Sequence, residues 1–316
     1  MIQAIIDVGS NTVRMAIYNI ENADGRQAME LLMKKKHLVG LAGFVENGIM
    51  KQAGIDEVCK VLEGYSKFLN KLGIDRVEAF TTAALRNCQN SDEAVREIIE
   101  RTGIPLRVVP GDEEAELGFI GATHNSPAIS GLLVDIGGGS TEIVYYENKN
   151  IVSEISLPIG SLNFKTRFVK GLFPVSEEID EMVKETEKLL GEAESFAGIS
   201  QEEICGIGGT FKGAAAIYNV IYEDKEKVNG GLISSNAVFS FKSEILQEML
   251  DRFTKEKLTE EDSLILLRAI PERLETVLPG IVIASVLAKH FGTKRITYSD
   301  SGMREGIIVK NLLSFK

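Results

Sequence analysis

The stretch Ile5-Ile6-Asp7-Val8-Gly9-Ser10-Asn11-Thr12 is echoed at Leu133-Val134-Asp135-Ile136-Gly137-Gly138-Gly139-Ser140-Thr141-Glu142. Each copy is an apolar run ending in an aspartate, then a glycine-rich turn with hydroxyl side chains, then a second apolar run. The pattern predicts a β-hairpin whose turn leaves backbone N–H groups and Ser or Thr hydroxyls facing outward, with a carboxylate at the strand end. Glycine suits a place where the backbone must approach a ligand closely. Converging N–H and O–H donors match phosphate oxygens, and the adjacent aspartate can hold the divalent cation that accompanies phosphates. A lone Asp-x-Gly hairpin is most often just a turn. The repeat, and a glycine run longer than a two-residue hairpin needs, argue for phosphate binding. Two such turns, one opening each half, predict a cleft between two related domains.

The chain has 316 residues, room for two domains rather than one core. It is 44% hydrophobic and 26% charged, an ordinary globular composition. No basic leader precedes the opening strand, and the apolar run at 281–287 is too short to span a bilayer, so a cytoplasmic protein is expected. Cys59, Cys88 and Cys205 are scattered, and His37, His124 and His290 form no ligand pattern, which speaks against a disulfide scaffold or a zinc site. A net charge of −11 argues against nucleic acid as a partner. Lys34-Lys35-Lys36 reads as a solvated edge strand.

Periodicity predicts α/β architecture: mixed sheets with flanking helices, present twice, with strands alternating with helices along both halves. Apolar positions at helical spacing predict a core-packed helix over residues 53–72, and the same reasoning predicts a single helix over 238–253. The polar segment around Asn125, Ser126 and Pro127 predicts a domain boundary, with domains 1–126 and 127–316.

Three further pieces suit a phosphate site. Arg86 follows a strand, where its guanidinium can take phosphate oxygens in a bidentate manner. Gly208-Gly209-Thr210 opens a helix, a ready anion site. Gly111-Asp112-Glu113-Glu114 puts adjacent carboxylates in a first helical turn, where acids also serve as ordinary dipole complements.

With these residues in view, the chain resembles the exopolyphosphatase/guanosine pentaphosphate phosphohydrolase (Ppx/GppA) family of the acetate kinase–sugar kinase–Hsp70–actin superfamily. The matching motifs are DVGSNT (7–12), TAALRNCQN (82–90), GDEEAELGFIGA (111–122), DIGGGSTEIV (135–144), GIGGTFKG (206–213) and SDSGMREG (299–306). They run in family order across nearly the whole chain. The resemblance implies two duplicated actin-like (ribonuclease H-like) domains with the active-site cleft between them. It implies Glu114 as the general base that activates water, and Asp135 and Glu142 as ligands of Mg²⁺, or Mn²⁺ in its place, at the cleft mouth. Ser10, Asn11, Arg86, Gly138, Gly139, Ser140, Thr141, Gly209 and Thr210 would cradle phosphates.

The implied activity is release of terminal phosphate from inorganic polyphosphate. The alternatives are 5′-phosphohydrolysis of pppGpp and a weakly active or non-catalytic polyphosphate- or (p)ppGpp-binding regulator. A kinase or chaperone-type ATPase of the superfamily is a further contender, but no adenine pocket is marked. The partners expected are polyphosphate or pppGpp as substrate, with a homodimer as one oligomeric state left open, and neither nucleic acid nor a membrane. The absence of a Gly-Lys-Ser/Thr signature excludes a P-loop enzyme. Two departures stand out. Val39-Gly40-Leu41-Ala42-Gly43 replaces an Arg-Leu-Gly-Glu-Gly-like stretch, which bears on chain-length preference and on the level of activity, and the helical extensions of longer relatives are missing, which predicts lower processivity or a preference for shorter substrates.

Overall fold

Near-continuous apolar runs such as Ala4-Ile5-Ile6 mark strands covered on both faces, and they form the centres of two sheets. The computed structural model describes all residues except 24–25, 125–129, 223–238 and 315–316. It divides into two units, Met1–Glu114 with Asn311–Lys316, and Ala115–Lys310. The boundary expected at 126/127 lies outside the described residues.

In the first unit the elements run β1 (Ile2–Val8), β2 (Thr12–Ala23), β3 (Arg26–Leu38), a single 3₁₀ turn (Leu41–Phe44), the short pair β4 (Val45–Glu46) and β5 (Ile49–Met50), then α1 (Gln52–Leu72). There follow β6 (Val77–Thr81), α2 (Ala83–Arg86), α3 (Ser91–Thr102) and β7 (Leu106–Val108); α4 (Gly111–Thr123) starts in this unit and continues into the second. The sheet order is β3-β2-β1-β6-β7, with β1 antiparallel to β2 and parallel to β6. Helix α1 buries Ile55, Val58, Leu62, Tyr65 and Leu69, a stripe at 3.6-residue spacing, against this sheet's core. Burying each such side chain contributes about 1.5–3 kcal/mol. Tyr65 keeps its hydroxyl satisfied at the carbonyls of Val13 and Lys35. The triple lysine lies on the sheet's edge strand, β3.

The second unit repeats the plan. Its elements are β8 (Gly131–Ile136), β9 (Thr141–Glu147), β10 (Asn150–Leu157), α5 (Ser161–Phe168), α6 (Ser176–Glu192), a 3₁₀ turn (Glu194–Phe196), β11 (Glu203–Ile207) and α7 (Gly208–Tyr222). Then come β12 (Phe239–Lys242), α8 (Glu244–Phe253), α9 (Glu260–Ala269), α10 (Val277–His290), β13 (Arg295–Tyr298) and α11 (Met303–Ser314). The order is β10-β9-β8-β11-β13-β12, with β8 parallel to β11 and antiparallel to β9. Helix α10 is apolar nearly all round because α5, α6, α7 and α8 pack around it. The helix expected over 238–253 is corrected. Phe239–Lys242 is an edge strand paired with β13, and the helix starts only at Glu244. No helix among the described residues is long and apolar enough to cross a membrane.

Backbone contact between helices explains two motif glycines. A Cβ on Gly121 of α4 would lie 1.9 Å from the Gly302 carbonyl oxygen, and one on Gly306 of α11 would lie 1.9 Å from the Leu117 carbonyl oxygen. The helices therefore cross backbone to backbone, and an alanine at either position would force them apart.

Candidate active site

In the first unit, the β1–β2 turn closes with Gly9 N–H on the Thr12 carbonyl at 3.0 Å. The carbonyls behind the turn are occupied: Asn11 accepts from Val39 and Gly40 at 3.0 and 2.9 Å, and Ser10 accepts from Ala42 at 2.9 Å. The stretch that departs from the family pattern thus braces the turn through its backbone, an interaction indifferent to its side chains. Ser10 is buried and Asn11 half-buried.

Arg86, the last residue of α2, reaches the start of α4. Its Nη1 donates to the Val109 carbonyl at 3.1 Å and to Glu114 Oε2 at 2.5 Å. Both side chains are largely shielded, 18% and 12% exposed, so this charge-assisted bond is stronger than a surface pair. Glu113 points elsewhere, to Arg107 at 2.9 Å, in a more solvated pair. The two neighbouring acids therefore sit in different environments. Sequence alone indicated no link between Arg86 and Glu114, which lie 28 residues apart.

In the second unit, Gly137 N–H closes the β8–β9 turn on the Ser140 carbonyl at 2.9 Å. Asp135 and Glu142 are direct cross-strand partners. Their side chains share a face, and like charges so placed repel. Glu142 is only 2% exposed, and Ser156 Oγ donates to its Oε1 at 2.7 Å. The expectation of two carboxylates at an open mouth is corrected for Glu142, which strand β9 carries into the interior; Asp135 is half-buried. Gly208, at φ +80°, backs onto Asp135: a Cβ there would lie 2.2 Å from Asp135 Oδ1. The second glycine turn thus meets the aspartate of the first. A Cβ on Gly209 would meet the Arg273 guanidinium at 2.1 Å, so that cation lies flat against the turn.

Two threonine hydroxyls point inward, against the outward orientation expected for Thr141 in its hairpin turn. Thr141 Oγ1 donates to the Ile159 carbonyl at 2.7 Å, and Thr210 Oγ1 donates to the Ile136 carbonyl at 3.3 Å. Any contact these residues make with phosphate falls to their backbone N–H groups. Ser140 is buried, at 3% exposure.

Gly160, Ser161 and Asn163 belong to this neighbourhood and were missed in the sequence. A Cβ on Gly160 would lie 2.6–2.8 Å from backbone atoms of Gly137, Gly138 and Gly139, so the glycine loop rests directly on it. Their sequence signal, Gly-Ser-Leu-Asn opening a helix, is indistinguishable from an ordinary cap. Burial, with a smaller contribution from Glu203, pushes the Cys205 thiol up to about 12, which removes it as a nucleophile at neutral pH.

Among the described residues no cluster of three or more His, Cys, Asp or Glu is placed to hold a metal. Mg²⁺ asks for less than that: one or two carboxylates, with waters and substrate phosphates completing its shell. The Asp135–Glu142 pair fits that requirement, and a cation would relieve its like-charge repulsion.

The architecture is that of the actin-like two-domain proteins. Residues 17–315 match the Ppx/GppA phosphatase family, and the chain belongs to it. A Haemophilus influenzae protein named "Putative exopolyphosphatase" is 26% identical over 310 residues, covering 96% of this chain and 90% of that one. The crystal structure of the Aquifex aeolicus Ppx/GppA family member superimposes with a TM-score of 0.76 at 28% identity, over 100% of this chain and 99% of that one. An exopolyphosphatase from Cytophaga hutchinsonii has the same fold, with a TM-score of 0.85 at 22% identity over 99% and 98% of the two chains.

Proposed function

We propose that this family member is a Mg²⁺-dependent phosphoanhydride hydrolase that releases terminal phosphate from inorganic polyphosphate. The observation that carries the reading is the cross-strand carboxylate pair Asp135–Glu142 beside a glycine turn. Such hydrolysis needs positioning, charge neutralisation and a base, with no covalent step by the protein. In the first unit Glu114 is the base, its carboxylate oriented by Arg86, and the donors of Ser10 and Asn11 hold phosphate oxygens. In the second unit Gly138, Gly139, Ser140, Thr141, Gly209 and Thr210 present backbone N–H groups to phosphate. Asp135 and Glu142 would hold Mg²⁺, which when bound supplies neutralisation of phosphate charge. Because Arg86 holds Glu114, its loss should lower kcat as well as raise KM.

The test is phosphate release from polyphosphate and, separately, from pppGpp, each with Mg²⁺ and with chelator. Mg²⁺-dependent release from polyphosphate supports the reading. Release from pppGpp alone reassigns the substrate within the family, and release from neither overturns the proposal.

A further inference from the structure

The carbonyls of the second unit's three loop glycines all bond to the start of α5. The Gly137 carbonyl accepts from Ser161 N–H at 2.9 Å and from Ser161 Oγ at 3.1 Å. The Gly138 carbonyl accepts from the N–H groups of Leu162 and Asn163 at 2.9 and 3.0 Å. The Gly139 carbonyl accepts from Asn163 Nδ2 at 3.1 Å. Gly160 N–H donates to Asn163 Oδ1 at 2.8 Å, which sets the orientation of the amide and aims Nδ2 at Gly139 and at the Pro158 carbonyl, the latter also at 3.1 Å. The first turn of α5 thus uses its own orphan N–H donors, those every helix N-terminus must satisfy, to take the Gly137 and Gly138 carbonyls, and the Asn163 side chain to take the third.

In a trans peptide the C=O and the following N–H point in opposite directions. With the carbonyls of Gly137, Gly138 and Gly139 turned toward α5, the N–H groups of Gly138, Gly139 and Ser140 are turned away from it. Among the described residues none of these three N–H groups has an acceptor. We infer that Asn163, with Ser161 on the cap provided by Gly160, is a positioning residue that pre-organises the phosphate-binding face of the loop. Without the Asn163 amide, the Gly139–Ser140 peptide can rotate and withdraw a donor from the anion. This inference rests on the phosphate-hydrolase reading above.

The alternative is that Asn163 merely caps its helix, and Asn163→Asp separates the two. Aspartate retains the acceptor for Gly160 N–H and adds a negative charge in the first turn, where the helix dipole favours it. It has no donor for Gly139 or for Pro158, and the loss of the Pro158 bond, which lies away from the loop, is read by the melting temperature. The variant should keep the wild-type melting temperature to within a few degrees. Its kcat/KM for phosphate release should fall about 10- to 100-fold, as misplaced binding groups do. The inhibition constant of inorganic phosphate should rise in parallel, since the loop N–H groups hold ground-state phosphate too. Asn163→Ala should show the same kinetic loss together with a lower melting temperature; it carries the test if the aspartate variant does not fold. A folded Asn163→Asp with wild-type kcat/KM and wild-type inhibition by phosphate overturns the proposal. So does a loss in either variant that tracks only the unfolded fraction. If the wild-type protein releases no phosphate but binds it, the functional reading fails and the binding arm still decides the role of Asn163. If it neither releases nor binds phosphate, both readings fall.

Discussion

The β1–β2 and β8–β9 turns are built alike and charged differently. Both close with a glycine N–H on the carbonyl three residues on, and both have carbonyls taken up from behind, those of Ser10 and Asn11 by the 39–42 stretch and those of Gly137, Gly138 and Gly139 by the start of α5. The rows of side chains beside them diverge. In the first unit Asp7 faces Arg14, which in turn faces Lys36, and Arg14 Nε also donates to Thr12 Oγ1 at 3.0 Å. In the second unit Asp135 faces Glu142, which faces Ser156. One row balances its aspartate with cations, whereas the other sets a second carboxylate across from its aspartate and a hydroxyl beyond. A duplicated backbone device has thus been kept while the charges along the two rows differ.

The largest expected effect tests that difference directly. Asp135→Asn and Glu142→Gln should each abolish Mg²⁺-stimulated phosphate release while circular dichroism stays native. Activity surviving in either variant with unaltered Mg²⁺ dependence would remove the distinction between the two rows.

Next in size is Glu114→Gln, for which kcat should drop about 10²–10⁴-fold, the usual contribution of a general base. Glu113→Gln, whose partner is the exposed Arg107, should remain near wild type. Equal modest losses from both would reduce the acids of α4 to helix-dipole complements.

A smaller effect concerns stability without turnover. Millimolar Mg²⁺ should raise the melting temperature of the wild-type protein by a few degrees through preferential binding to the folded state. Chelator should reverse the rise, and Glu142→Gln should show none. A full shift in that variant would place the ion elsewhere.

The smallest effect belongs to the balanced row. Arg14→Ala removes the cation facing Asp7 and should cost about 0.2–1 kcal/mol in denaturant unfolding, the range for cross-strand pairs. A gain in stability would mean that Arg14 is held against Lys36 at a cost.

Much of this was legible in the chain. The repeated Asp-x-Gly turns announced two sheets, and helix spacing placed α1 because its amphipathic stripe is a local signal. What escaped depends on contacts between distant residues. Phe239–Lys242 merges with the apolar stripe of α8, and only its pairing with Arg295–Tyr298 makes it a strand. The Arg86–Glu114 bond, the seat of the glycine loop on Gly160 and the burial of Glu142 all arise after the chain has returned on itself. The inward hydroxyls of Thr141 and Thr210 belong with these, since residue type gives no hint of which carbonyl will be within reach.

The glycine crossing of α4 and α11 has a consequence for the order of events during synthesis. Gly121 of the helix that begins with Glu114 lies against Gly302 and Gly306, and Glu116 is tied to Lys310 at 2.6 Å. Just beyond, Asn311 donates to Glu78 at 2.6 Å. Contacts spanning nearly two hundred residues form late, because the loop they close must first exist. A ribosome-bound chain that has emitted residues 1–300 therefore carries every candidate catalytic and metal-binding carboxylate, yet lacks the packing that seats the helix of Glu114. If the proposed hydrolysis holds, competence should appear only once α11 has emerged and its glycines can pack on α4.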